Sequence, residues 1–213
     1  MVGGGVVEIV TLDNVEWAAP PDRDEAGTPN HVGAIAFATA IQQLEEIGMQ
    51  AVAEHEAQLT AHALGQLADV PGIIIYGDSD PANASDRLGV IPFNISGIDH
   101  FKTAAILGHE FGIGVRNGCF CAHPLILHLV ELNEKEVADV QEEILSGTKA
   151  KMPGLVRASF GLYNTLDEVD KFVTALKIIA DGEYHGEYIQ DSASGEYHPK
   201  NWQPKFDEYY SLA

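Results

Sequence analysis

Four short apolar runs, separated by longer segments of helical periodicity, place the strongest limit on how this chain can fold. The runs cover residues 72–76, 88–95, 113–116 and 155–160. Their lengths are those of buried strands and are too short for typical helices. Strands and helices mix without a strict repeat, so we expect an α+β lobe of the α/β class, with a small antiparallel or mixed sheet and helices on one face. Pro92 has no N–H group, which favours a sheet edge or a bulge for its strand.

The helical segments carry clear start signals. Asn30 is a candidate N-cap for a helix that Gly48 ends, and a second helical stretch follows it directly. A third helix is expected to start near Asp99. Asn133 and Thr165 are each followed three residues later by glutamate, which is the pattern of a capping box. The sequence therefore predicts two consecutive long helices first, and three shorter helices among the later strands.

The charge of the chain excludes two classes of partner. Its 213 residues include 12 lysines and arginines against 32 aspartates and glutamates, a formal net charge of −20 at pH 7. Such a surface repels phosphate backbones and anionic lipids, so we expect neither nucleic acid binding nor membrane binding. No apolar run reaches the ~18 residues that a membrane-spanning helix needs.

The only two cysteines, Cys119 and Cys121, lie in a polar break at residues 116–124 (RNGCFCAHP). A disulfide across one intervening residue would close a tiny loop, so we predict free thiols in a reducing, cytoplasmic setting. The neighbouring Arg116 could favour a thiolate. A sharp turn at Gly118 would leave Cys121 exposed at a loop tip.

Other interpretations of the cysteine pair are open at this point. Free cysteines are commonly small buried hydrophobes, and this description fits both residues. His123 is a second group that could favour a thiolate. A Cys-x-Cys pair can also bind zinc, with His123 and His128 as the nearest further ligands. Because there is no second cysteine pair and no His-Glu-x-x-His pattern, we assign no metal.

Arg157 lies within an apolar strand pattern, where a charge is costly unless it is paired. A guanidinium group presents a bidentate fork that matches a carboxylate. Arg157 could therefore hold the α-carboxylate of an amino-acid substrate. An internal salt bridge to one of the many acidic side chains explains the same pattern equally well.

Several motifs occur in an order that resembles a known family. They are GGG at 3–5, EAGTPN at 25–30, GAI at 33–35, LEEIG at 44–48, RNGCFCAHP at 116–124, VRASF at 156–160, YNT at 163–165 and EVD at 168–170. Together they resemble the C-terminal portion of the class V aminotransferase family, especially its cysteine desulfurase and selenocysteine lyase branch. The resemblance is colinear from about Gly3 to Ala180.

The resemblance implies pyridoxal phosphate (PLP) as cofactor, a fold-type I scaffold and a homodimer. It gives Cys121 the place of the thiol that attacks the substrate sulfur and becomes a persulfide. It gives Arg157 the place of the arginine that binds the substrate carboxylate, and Arg116 a place near the active site. Thr28 resembles the residue that reaches the cofactor phosphate of the partner subunit. Cys119 departs from the histidine that is often found at its position.

The resemblance also implies a division of the chain. Residues 1–50 correspond to a remnant of the large PLP-binding domain with the inter-domain helix, 51–182 to the small C-terminal domain, and 183–213 to an extension. The Schiff-base lysine of the family is expected upstream of residues 3–5, so we expect this chain to be inactive by itself and not to bind PLP. Partners implied are an amino-acid substrate and a sulfur-acceptor protein.

The sequence is also compatible with two further functions. The first is a class V aminotransferase, epimerase or lyase that acts on another amino acid and does not use Cys121. The second is a non-catalytic interaction domain.

Overall fold

The computed structural model describes residues 3–203 and divides the chain into two compact units, Met1–Val52 and Ala53–Ala213. The first unit begins with an antiparallel hairpin and continues through a short 3₁₀ helix. These elements are β1 (Val7–Val10), β2 (Val15–Trp17) and the 3₁₀ helix Asp22–Asp24.

Two consecutive helices follow, as predicted. They are α1 (His31–Ile47) and α2 (Met49–Leu67). Asn30 caps α1, because its side-chain oxygen accepts a hydrogen bond from the Gly33 N–H group at 2.9 Å. Gly48 separates the helices with a φ of 90°, a conformation that favours glycine. The predicted N-cap and break are confirmed.

The second unit is built on a four-stranded antiparallel sheet of order β3-β4-β6-β5. Its strands are β3 (Ile73–Ile75), β4 (Val90–Ile95), β5 (Arg116–Gly118) and β6 (Leu155–Ser159). The small antiparallel sheet is confirmed. The third strand lies later than its predicted range, 113–116. Ile113 and Val115 pack against the core, whereas pairing with β6 begins only at Arg116.

The prediction for Pro92 is wrong, because β4 lies inside the sheet and pairs with β6 in regular register. The Pro92 carbonyl accepts a hydrogen bond from the Tyr76 N–H group at 3.0 Å. The nitrogen and the carbonyl of a strand residue point to the same side, so the nitrogen of Pro92 also faces the β3 side of β4. It lies opposite Tyr76, one position beyond the end of β3 at Ile75. The missing N–H group removes a hydrogen bond only at the end of that ladder, and the interior position is tolerated.

Helices α2, α3 and α6 share one core with one face of the sheet. The later helices are α3 (His100–Phe111), α4 (His123–Leu129), α5 (Glu134–Leu145) and α6 (Leu166–Ala180). Alternate strand residues Ile91, Phe93, Ile95, Val156 and Ala158 point into this core. These three helices lie on one face, as predicted, but α4 does not: it packs against Leu155, which alternates with Val156 and points to the other face. The seven-residue α4, which the sequence did not indicate, contributes Ile126 to a small second cluster with Cys119 and Leu155.

The capping predictions hold in detail. Asp99 caps α3 by accepting hydrogen bonds from the first turn. Both capping boxes are formed, between Asn133 and Glu136 and between Thr165 and Glu168. These caps satisfy amide groups that a helix leaves free at its start.

After α6 the chain forms an antiparallel hairpin, β7 (Tyr188–Gln190) and β8 (Tyr197–Pro199), next to α3. Glu110 at the end of α3 anchors it by accepting hydrogen bonds from the backbone of His185 and Gly186 and the hydroxyl of Tyr188. Burial would raise the pKa of Glu110, but these bonds outweigh it and lower that pKa. Residues 204–213 of the predicted extension lie outside the described residues.

Within residues 3–203, no helix is long and apolar enough to cross a membrane.

Candidate active site

Arg116 and Arg157 are directly opposite each other on neighbouring strands of the sheet. The register of β5 and β6 pairs these two residues. Val156 and Ala158 point into the core, so Arg157 points to the other face, because strand side chains alternate. We call this the arginine face. Like charges directly opposite each other destabilise a sheet, so an anion next to both arginines would stabilise this pair.

No such anion comes from the described part of the chain. Within residues 3–203, neither Arg116 nor Arg157 forms an ion pair. Arg157 Nε is buried and has no hydrogen-bond partner there. An unpartnered buried donor costs roughly 1–3 kcal/mol. The internal salt bridge that the sequence left open for Arg157 is therefore absent from these residues, and no acidic side chain among them neutralises either guanidinium group.

Phe120 covers one side of Arg157. The guanidinium carbon of Arg157 lies 5.1 Å from the centre of the Phe120 ring, which is cation–π geometry. Phe120 lies between the two cysteines in the chain, so this contact joins the cysteine turn to the arginine pair.

The turn itself has an uncommon backbone. Gly118 has a φ of 101°, as the predicted sharp turn requires, and Phe120 and Cys121 follow with φ of 51° and 59°. Non-glycine residues rarely adopt this left-handed conformation, and such strain often occurs at functional sites. The Ala122 N–H group closes the turn by donating to the Cys119 carbonyl at 2.7 Å.

The two cysteines are in opposite environments. Cys121 is exposed, whereas Cys119 is only 5% exposed and lies between Ile126 and Leu155. The Cys119 thiol donates a hydrogen bond to the Pro153 carbonyl at 3.1 Å. Burial raises the pKa of Cys119, which keeps it a neutral thiol. The description as a small buried hydrophobe thus fits Cys119 and not Cys121.

The candidate site is an open face and not a closed cavity. A cavity of about 760 Å³ is lined by the end of α3, residues 112–115, the end of β6 and α6. Neither cysteine and neither of these arginines lines it. The candidate site therefore consists of the two arginines and the cysteine turn and does not include this cavity.

Metal binding receives no support from the geometry. No cluster of three or more histidine, cysteine, aspartate or glutamate side chains that could hold a metal occurs within residues 3–203. His123 and His128, the sequence-based candidates, are at opposite ends of α4.

Known proteins identify the family. The model of the family described as aminotransferase class-V matches residues 1–172. The chain belongs to this family. A cysteine desulfurase of Escherichia coli O127:H6 is 35% identical over 178 residues, which are 83% of this chain and 37% of that protein. A probable cysteine desulfurase of Halobacterium salinarum is 35% identical over 176 residues, 83% of this chain and 36% of that protein.

Solved structures agree with this assignment. An apo cysteine desulfurase from Thermococcus onnurineus has a TM-score of 0.57 and 34% identity, over 85% of this chain and 39% of that one. An Escherichia coli cysteine desulfurase in its S-sulfonic acid form has a TM-score of 0.59 and 26% identity, over 87% and 39%. The class V chain thus spans little more than a third of the length of these relatives.

Class V aminotransferases and cysteine desulfurases depend on PLP. Two sets of described residues suit parts of such a site. The guanidinium groups of Arg116 and Arg157, which have no acidic partner within residues 3–203, suit a carboxylate. In the first unit, Thr28 is exposed in the turn before α1 and has a hydroxyl group suited to a phosphate. Anchoring the cofactor's aldehyde takes a lysine, and several lysines are engaged elsewhere: Lys102 with Tyr184, Lys151 with Glu143 and Lys200 with Glu187.

Two parts of the site were not found from the sequence. One is Phe120, whose contact with Arg157 bridges residues 37 apart in the chain. The other is the set of anchors that hold the start of β6, because nothing in the local pattern marks Asn94 or His100 as its partners. The one sequence signal for Asn94 is that this polar residue interrupts the apolar strand β4.

Proposed function

We propose that this chain is the C-terminal part of a PLP-dependent cysteine desulfurase. In this proposal, sulfur is transferred from free cysteine to Cys121, and alanine is released. The observation that carries it is the exposed Cys121 in a turn that Phe120 joins to Arg157, an arginine without an anionic partner within residues 3–203. The similarity to cysteine desulfurases supports the same conclusion.

Arg157 binds the substrate carboxylate in this proposal, and Arg116 assists it. The two guanidinium groups extend from directly paired positions of β5 and β6, so one carboxylate can bind both. Phe120 fixes one face of the Arg157 guanidinium, which leaves its edge for the carboxylate. The substrate is thereby oriented with its sulfur available to the turn.

Cys121 accepts the sulfur. Its thiolate attacks the substrate sulfur, a sulfur–sulfur bond forms, and the substrate's carbon–sulfur bond breaks with its electron pair going to carbon. That carbon takes up a proton, so a thiol and cysteine become a persulfide and alanine. No external oxidant is needed, since the gain of electrons at carbon balances the loss at sulfur. Exposure of Cys121 allows a sulfur-acceptor protein to reach the persulfide.

PLP supplies the electron sink that makes this bond cleavage possible. Thr28 is the residue we assign to its phosphate, across the interface of a homodimer. Because no lysine of this chain is assigned to the cofactor, we expect activity only in a complete enzyme. A reducing, cytoplasmic compartment would keep Cys121 as a free thiol.

The test uses a complete enzyme that carries this chain together with a lysine-bearing cofactor lobe. With L-cysteine as substrate and a thiol reductant that releases the persulfide sulfur as sulfide, Cys121→Ala should lower sulfide production at least a hundred-fold, since no other described thiol is exposed. The visible absorbance of bound PLP should stay unchanged. Leu125→Ala, an exposed change in the adjoining α4, is the matched control and should retain activity.

Full sulfide production by Cys121→Ala would contradict the proposal. Turnover of another amino acid, independent of Cys121, would instead indicate a class V aminotransferase, epimerase or lyase. Absence of PLP binding and of turnover in the complete protein would indicate a non-catalytic interaction domain.

A further inference from the structure

Three consecutive carbonyl groups before β6 are each held by a different side chain. The Met152 carbonyl accepts a hydrogen bond from His100 Nε2 at 2.9 Å. The Pro153 carbonyl accepts from the Cys119 thiol at 3.1 Å, and the Gly154 carbonyl accepts from Asn94 Nδ2 at 3.1 Å. Residues 152–154, which we call the carbonyl segment, are thus tied to α3, to the cysteine turn and to β4.

Cys119 makes two contacts that bear on the turn. Its side chain binds the carbonyl segment, and its own carbonyl accepts the Ala122 N–H group that closes the turn. Phe120 and Cys121 between these points adopt left-handed conformations, which cost energy and need surrounding contacts to hold them. A fixed first residue therefore helps the closing hydrogen bond to hold Cys121 in this orientation.

The turn is fixed to the same stretch of chain at a second point. Phe120 stacks on Arg157, four residues after Pro153. One contact at Cys119 and one at Phe120 define both the position and the tilt of the turn relative to the strand that carries Arg157.

We propose that Cys119 is a positioning residue whose thiol ties the turn to the Pro153 carbonyl and thereby sets the position of Cys121 relative to Arg157. This rests on the function proposed for Cys121. Cys119 takes no part in the sulfur chemistry itself.

The surroundings explain why a thiol suits this position. Cys119 is 5% exposed, in a cluster with Ile126 and Leu155, so a small apolar side chain is required there. The backbone is also tight, since a Cβ atom on Gly154 would lie 2.7 Å from the Cα atom of Gly118. A buried neutral thiol meets both needs and supplies one donor, and its burial leaves Cys121 as the accessible nucleophile.

The test separates the hydrogen bond from the packing. Cys119→Val fills the same space without a donor, and Cys119→Ser keeps a donor. In the 213-residue chain, we expect hydrogen exchange at the Ala122 amide to rise roughly five-fold in Cys119→Val, as loss of one neutral hydrogen bond predicts. Cys119→Ser should exchange like the wild type. In the complete enzyme, Cys119→Val should lower kcat at least ten-fold with KM for cysteine unchanged, and Cys119→Ser should restore kcat.

Ile126→Val, a change in the same cluster that leaves every hydrogen bond intact, is the control and should not change Ala122 exchange. Wild-type exchange and kcat in Cys119→Val would overturn the proposal, as would a Cys119→Ser variant that behaves like Cys119→Val. If Cys119→Val does not fold, Cys119→Ala takes its place with the same expectations. Because amide exchange needs no turnover, it decides the role of Cys119 even if Cys121→Ala shows that the desulfurase proposal is wrong.

Discussion

The two faces of the β3-β4-β6-β5 sheet differ in how well their side chains are satisfied. The helix-covered face is apolar, and Ile91, Phe93 and Val156 are fully buried there. On the arginine face, Arg157 Nε and Asn94 Oδ1 are buried without a partner among the described residues. Residues of the same strands contribute to both faces because side chains alternate along a strand. The first face holds the fold together, and the second is the face to which we assign substrate binding.

The largest effect on stability should come from the helix-covered face. Phe93 is 0% exposed and packs edge-on against Phe172, with ring centres 5.8 Å apart. Phe93→Ala should lower the free energy of unfolding by about 3–5 kcal/mol, because it leaves a cavity in a close-packed core. Denaturant unfolding followed by circular dichroism measures this. A loss below about 1 kcal/mol would mean that the two faces do not differ as we describe.

On the arginine face, the same measurement should give a much smaller change. Arg157→Met keeps a long side chain and removes a charge that has no anionic partner among residues 3–203. We expect the free energy of unfolding to stay within about 1 kcal/mol of the wild type, since repulsion from Arg116 is removed as well. In the complete enzyme, the same variant should raise KM for cysteine.

Arg116 is the exposed residue of the pair, and Arg116→Met is the control for loss of a charge. It should be at least as stable as the wild type. A loss of 3 kcal/mol or more in Arg157→Met would show that Arg157 has a structural ion pair and would remove the basis for assigning it to a substrate.

The smallest effect is a pH dependence at the anchor of the carbonyl segment. His100 is 6% exposed, and burial lowers its pKa, against the opposing effects of its hydrogen bond to Met152 and the nearby Asp99 charge. The unfolded chain therefore takes up a proton at a higher pH than the folded chain does. The contribution of His100 to stability is complete above about pH 6.5 and is lost as the pH falls below it.

Thermal unfolding at pH 7.5 and pH 5.5 measures this dependence. His100→Gln keeps a donor for the Met152 carbonyl but cannot titrate, so the fall in Tm between the two pH values should be smaller than in the wild type. An equal fall in both proteins would show that His100 does not titrate differently on folding.

Much of the fold could be predicted because its signals are local. The N-caps at Asn30 and Asp99 and both capping boxes depend on residues within one helical turn of each other. The exposed position of Cys121 was also predictable, since it follows from the sharp turn at Gly118. The position of Pro92 was not, because the tolerance for a missing N–H group depends on where the neighbouring β3 ends.

The sequence by itself determined the strands of the four-stranded sheet, the helices α1, α2, α3, α5 and α6, the family, and the residue types available for chemistry. Only the tertiary structure decided that Arg116 lies opposite Arg157 on the neighbouring strand, that Phe120 covers Arg157 and that the buried Cys119 thiol donates to the Pro153 carbonyl. Each of these contacts joins residues 34 to 41 positions apart, across the turn, α4 and α5. The physical reason is that strand register depends on the packing of the whole sheet, and no local pattern carries that information.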